Sequence, residues 1–81
     1  MNIFVGNLNF RTTEEELQSH FEQFGEVSSA KIITDRNTHR SRGFGFVEMA
    51  DDSEGEKAIS ELNGKDFNGR DLTVNKANER K

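Results

Sequence analysis

The stretch Arg42-Gly43-Phe44-Gly45-Phe46-Val47-Glu48-Met49 constrains this chain more than any other. Read as a β-strand, it alternates with period 2. Gly43, Gly45, Val47 and Met49 then share one face, which can lie against helices. Arg42, Phe44, Phe46 and Glu48 share the other. Two large aromatic rings beside an arginine are costly to leave in water, so that second face is a candidate binding surface. Flat π faces beside cationic groups suit unstacked nucleic-acid bases carrying phosphates.

At 81 residues there is room for one core and no second lobe. Cysteine is absent, so no disulfide, thiolate metal site or thiol chemistry is available, and stability rests on packing. Met1 runs directly into Asn2-Ile3-Phe4-Val5-Gly6, and no long apolar run follows. Neither a signal peptide nor a membrane span is expected, and the expected location is cytoplasmic.

Net charge is −4, which taken alone argues against a nucleic-acid partner. Its distribution reverses that argument. Thr13 to Glu26 holds five acids and no Lys or Arg, and Glu48 to Glu61 holds six acids against Lys57. Lys31, Arg36, Arg40 and Arg42 outweigh Asp35, and Arg70, Lys76, Arg80 and Lys81 outweigh Asp71 and Glu79. Two acidic helices and a mildly basic remainder result.

Taken in order, Asn2 to Gly6 reads as a short strand, with Ile3 and Val5 inward and Phe4 outward beside Asn2. Leu8 and Phe10 are expected to close the edge of the core. Thr13-Glu14-Glu15-Glu16 has the form of a capping box, with acids that suit the helix dipole. Leu17, Phe21 and Phe24 form one apolar stripe, and Gly25 is the expected stop. Val27 to Thr34 is the second strand, with a bulge near Ser28 admitted, and Asp35 to Ser41 is a basic loop. After the Phe-rich strand, Asp51-Asp52-Ser53 starts a helix whose stripe is Gly55, Ala58, Ile59 and Leu62; Asn63-Gly64 stops it. Asn68-Gly69 is a two-residue hairpin turn, and Leu72 to Ala77 is the last strand. The expected fold is α+β, a βαββαβ ferredoxin-like sandwich in which two helices cover one face of a four-stranded antiparallel sheet. One domain over 1–77 and a short basic tail over 78–81 follow. Nothing remains to cover the face that carries Phe4, Phe44 and Phe46.

At this point the sequence resembles the RNA-recognition motif (RRM) family. Arg42-Gly43-Phe44-Gly45-Phe46-Val47-Glu48 follows the longer family motif, and Ile3-Phe4-Val5-Gly6-Asn7-Leu8 the shorter. Met49 departs from the usual aromatic, at a position that faces the core. The resemblance covers essentially the whole chain and extends to the small stand-alone members of bacteria. It implies that Phe4 and Phe46 stack on consecutive bases, that Phe44 packs on the sugars between them, and that Arg42 pairs with phosphate. It also implies that Lys31, Asn75 and Lys76, with the backbone around Ala77, touch base edges or phosphates. Base preference would depend on edge contacts from Asn2, Ser29, Lys31, Asn75 and the backbone after Val74, and on the conformation of the tail. Apart from the resemblance, the loop that holds Arg36, His39 and Arg40 can be read as a clamp on RNA beside Arg42 or as a solvated connector.

Each feature has a plainer reading. The three phenylalanines could build a second hydrophobic core or a dimer interface. The acidic clusters match no calcium loop and are accounted for by helix starts and solvated faces. With no His/Cys cluster, phosphate-binding glycine loop or nucleophile-plus-base pair, neither an enzyme nor a cofactor nor a metal is expected. The expected partner of a monomer is single-stranded RNA, over about 2–4 nucleotides. Single-stranded DNA is an alternative ligand, a protein-interaction module the rival function, and a basic protein a further partner for the acidic helices.

Overall fold

The computed structural model describes residues 1–35, 37–38 and 41–77, with Ser41 and Arg42 described by their backbone alone. Its elements run β1 (Asn2–Gly6), α1 (Glu14–Glu22), β2 (Val27–Thr34), β3 (Ser41–Met49), α2 (Asp52–Leu62), β4 (Asp66–Phe67), β5 (Arg70–Asp71) and β6 (Thr73–Lys76). The main sheet has the order β2-β3-β1-β6, with every pair antiparallel. The βαββαβ order expected from the sequence is therefore present, with a small β4–β5 hairpin inserted before the last main strand.

Helix boundaries follow from caps. Thr13 Oγ1 accepts from the Glu16 N–H while the Glu16 carboxylate accepts from the Thr13 N–H, so the capping box closes as expected. Asp51 caps α2 by accepting from the Glu54 N–H. Gly25 does not act as the stop of α1. The helix is already over at Glu22, capped by Gln23. Gly25 matters instead for close approach, because a Cβ there would run into the Glu54 side chain at the start of α2.

The core lies between the sheet and the two helices. Ile3, Val5, Val47, Met49 and Val74 from the strands are fully buried with Leu17 and Phe21 of α1 and Ala58 of α2, and Leu62 of α2 joins the same cluster. Met1 covers Gly55 on α2, and its ammonium donates to the Met49 carbonyl at 2.7 Å. The shift in register between Val27 and Ser29 puts the bulge where the pattern of β2 called for one. Asn68 and Gly69 both adopt positive φ (54° and 86°), as a type I′ hairpin turn requires.

Phe10 is a correction. It does not close the core but is 66% exposed. Asn7 takes φ 58°, and this turn sends Leu8 inward, where its N–H donates to the Gly43 carbonyl. Phe10 follows in a turn held by Asn9, and no burial is needed to keep it there.

Candidate nucleic-acid interface

Register turns the strand alternation into a map of the uncovered face. Phe4 stands opposite Phe46 on one side and Asn75 on the other, and Phe46 stands opposite Lys31. Lys31, Phe46, Phe4 and Asn75 thus form one row across all four main strands. A parallel row holds Ser29, Glu48 and Asn2; on the other side lie Phe44, Gly6 and Thr73. The inward neighbours Val5, Val47 and Val74 are fully buried, so this face cannot share the main core.

The three rings form one cluster. Phe4 lies 5.9 Å from Phe44 with a 31° tilt, and 5.8 Å from Phe46 nearly edge-on; Phe44 and Phe46 are 6.3 Å apart and perpendicular. Such spacings suit mutual aromatic contact. Gly6 makes room for this arrangement, since a Cβ there would come within 2.9 Å of the Phe4 ring. Phe46 remains 39% exposed, whereas Phe4 and Phe44 are half-buried.

Beside Phe46 a cleft of about 260 Å³ is lined by Asn2, Ser29, Lys31, Glu48 and Ala77. An ammonium and a carboxylate therefore flank the same ring, next to amide and hydroxyl groups. This set can repel or attract a phosphate and can both donate to and accept from a base edge.

The structure does not bring every expected residue to this face. Lys76 stands opposite fully buried Ile3, so strand alternation assigns its Cβ to the helix side, away from the rings. Arg40, with Arg36 and His39, lies outside the described residues. Arg42 lies in β3, and only its backbone is described.

Three residues at the loop end of the sheet were not legible as site residues. Arg70 donates through Nε (3.2 Å) and Nη2 (2.8 Å) to Asn7 Oδ1, while Asn7 Nδ2 donates to the Asp71 carbonyl. With exposed Phe10 they border a hollow of about 350 Å³ that continues from Phe4 and Phe44. Only the positive φ that an asparagine after a strand tolerates hinted at a turn there.

A wider hollow, about 610 Å³, lies on the flank of α1 and is lined by Glu15, Glu16, Ser19, His20, Gln23 and Phe67. Its two carboxylates disfavour phosphate, so size alone does not mark the nucleic-acid site. His20 stacks on Phe67 at 4.2 Å there, and burial pushes its pKa below the ordinary 6.5. Among the described residues no cluster of His, Cys, Asp and Glu could hold a metal, and no helix is long and apolar enough to cross a membrane.

Known proteins of similar sequence and fold exist. The family model described as RNA recognition motif matches residues 3–73. The chain is 50% identical over 78 residues to the glycine-rich RNA-binding protein blt801 of Hordeum vulgare, covering 96% of this chain and 48% of that protein. It thus spans about half the length of the plant proteins it matches. The RbpD protein of Nostoc sp. is 50% identical over 80 residues, which is 99% of this chain and 85% of that protein. That match accords with the resemblance to small bacterial members. The crystal structure of RNA Binding Protein PG1 superposes with a TM-score of 0.96 at 56% identity, covering 100% of this chain and 98% of that one.

Proposed function

The chain belongs to the RNA recognition motif family, and we propose that it binds single-stranded RNA on the open face of its sheet, as a binding module without catalysis. The observation that carries this reading is the row Lys31–Phe46–Phe4–Asn75 across the four strands. Strands lie about 4.8 Å apart, so the row extends about 14 Å, which suits about 2–4 nucleotides. Phe4 and Phe46 take consecutive bases, and Phe44 packs on the sugars between them. Lys31 meets a phosphate or base edge at one end and Asn75 a base edge at the other, while Asn2, Ser29 and Glu48 read edges in the adjoining cleft. Each stacked base contributes about 1–3 kcal/mol, enough together for micromolar affinity. Cytoplasmic regulation of transcripts, by masking or exposing sites, follows as the cellular role of such a module.

A backbone-amide NMR titration with random short single-stranded RNA at low salt tests this reading. Shifts clustered at Phe4, Lys31, Phe44, Phe46 and Asn75 are expected, and a matched DNA pool measures any preference for the 2′-hydroxyl. Shifts confined to the helices would instead favour the second reading, a basic protein partner on the acidic hollow beside α1.

A further inference from the structure

Phe10 is the most exposed large hydrophobic side chain among the described residues, at 66%. It is not loose. Its ring edge lies 3.5 Å from where a Cβ on Gly43 would stand, and Gly43 holds φ 83°, a conformation that suits glycine. The turn beneath it is fixed by hydrogen bonds from the Arg11 N–H to Asn9 Oδ1 and from the Thr12 N–H to the Asn9 carbonyl. Asn9 Nδ2 also donates to the Asn68 carbonyl, which ties this loop to the β4–β5 hairpin. A large ring is therefore held out to solvent on a braced loop.

Arg70 stands across the same hollow. Its Nε and Nη2 are fixed on Asn7 Oδ1, so two of the five guanidinium N–H groups orient the plane. The other three have no partner among the described residues, and no described carboxylate pairs with the group. An oriented, uncompensated guanidinium beside an open aromatic ring matches the two halves of a nucleotide, its phosphate and its base. The hollow measures about 350 Å³ and is continuous with the Phe4 and Phe44 rings, which leaves room for one nucleoside at the end of the path.

We propose that Phe10 and Arg70 form an additional nucleotide subsite at the loop end of the sheet. It takes one nucleotide beyond those on Phe4 and Phe46, with its base on the Phe10 ring and its phosphate on Arg70. This inference rests on the RNA-binding reading above and lengthens the strand that the protein grips. Nothing in the turn selects one base, because stacking and a phosphate contact are both tolerant of sequence.

The test uses the full chain and fluorescence anisotropy with two random RNA pools, of about four and about eight nucleotides. Wild type, Phe10→Ala, Arg70→Gln and Phe46→Ala are compared, with thermal melts of each. Wild type is expected to bind the longer pool more tightly. Phe10→Ala and Arg70→Gln each lose about tenfold on the longer pool and distinctly less on the shorter, whereas Phe46→Ala loses on both. In wild type, the Phe10 ring signals and the Arg70 Nε–H signal shift on adding the longer pool, which a merely structural role would not produce. If both variants bind both pools like wild type while Phe46→Ala is weakened, the subsite is overturned and the sheet reading stands. If Phe46→Ala is not weakened, or wild type binds neither pool, the sheet reading falls and the subsite with it.

Discussion

Lys31 and Phe46 stand directly opposite one another in the antiparallel β2–β3 pair, so a cation flanks the most exposed of the three sheet rings. Opposed residues on one face have Cβ atoms about 5 Å apart, close enough for one nucleotide to meet both. Phe46→Ala is therefore expected to weaken RNA binding by about 1–3 kcal/mol. Its ring lies outside the main core, so the melting temperature should stay within a few degrees of wild type. Isothermal titration and calorimetric melts check both halves, and a large drop in melting temperature would mean that Phe46 is a core residue.

The same pairing sets the salt dependence. Carboxylates on both helices oppose long-range attraction, leaving Lys31 and a few other cations to meet phosphate. We expect about 2–4 neutralised phosphates and a log–log salt slope of about −1.4 to −2.8. Lys31→Ala should flatten that slope by about 0.7. A wild-type slope steeper than about −4 would show that phosphate contacts, rather than stacking, dominate.

Gly6 leaves the space that the Phe4 ring occupies. A Cβ at residue 6 would meet Phe4 Cε2 at 2.9 Å and Cζ at 3.1 Å, and both are the far end of a side chain that can swing away. Gly6→Ala should thus leave stability nearly unchanged while tilting the Phe4 ring out of its place in the cluster. RNA binding is expected to weaken by less than the full stacking loss, about 0.5–1.5 kcal/mol. Altered Phe4 ring chemical shifts in the free protein would confirm the cause, and unaltered ones would refute it.

How much of this was legible in the sequence depended on whether local rules governed the residue. Phe4, Phe44 and Phe46 were legible because period 2 sorts faces wherever the chain stays in a strand. The α2 stripe and the Asn68-Gly69 turn were legible because burial and positive φ leave strong marks. Phe10 was not legible because it lies in a loop, where no periodic pattern says which side chain is buried. Lys76 was placed with the site by resemblance, although its own parity with Val74 and Asn75 sends it the other way. Arg70 escaped notice because its role depends on Asn7, 63 residues away in the chain.

Gly45 separates fold from function in the opposite direction to Gly6. It faces the core side of β3 across from Val5 and Ile32, and a Cβ there would collide with the Lys31 carbonyl oxygen and crowd Ile32 Cα at 3.1 Å. These are backbone atoms of the neighbouring strand, which cannot move without breaking the β2–β3 ladder. Gly45→Ala should cost about 1–3 kcal/mol of stability. Denaturant titration checks this, and an unchanged midpoint would place the two strands farther apart than described.

His20 gives the chain a predictable weakness towards acid. Its ring is stacked on Phe67, its Nε2 is buried without a hydrogen-bond partner, and the Gln23 amide nitrogen lies 3.4 Å from Nδ1. Burial disfavours the imidazolium, so the folded pKa lies below 6.5, the ordinary value. Once protonated, Nδ1 carries a hydrogen and cannot accept from the Gln23 amide nitrogen. Above the ordinary value the ring is neutral in both folded and unfolded chains, and its contribution to stability is fully present. As pH falls from 6.5 through the lower folded value, the unfolded chain binds the proton first and that contribution is lost. Denaturant midpoints at about pH 7.5 and about pH 5.5 should therefore differ, with the acid value lower, and His20→Phe should shrink the difference. Glu15 and Glu16 line the same hollow and favour the charged ring. A midpoint that holds steady or rises on acidification would show that those carboxylates, rather than burial against Phe67, govern His20.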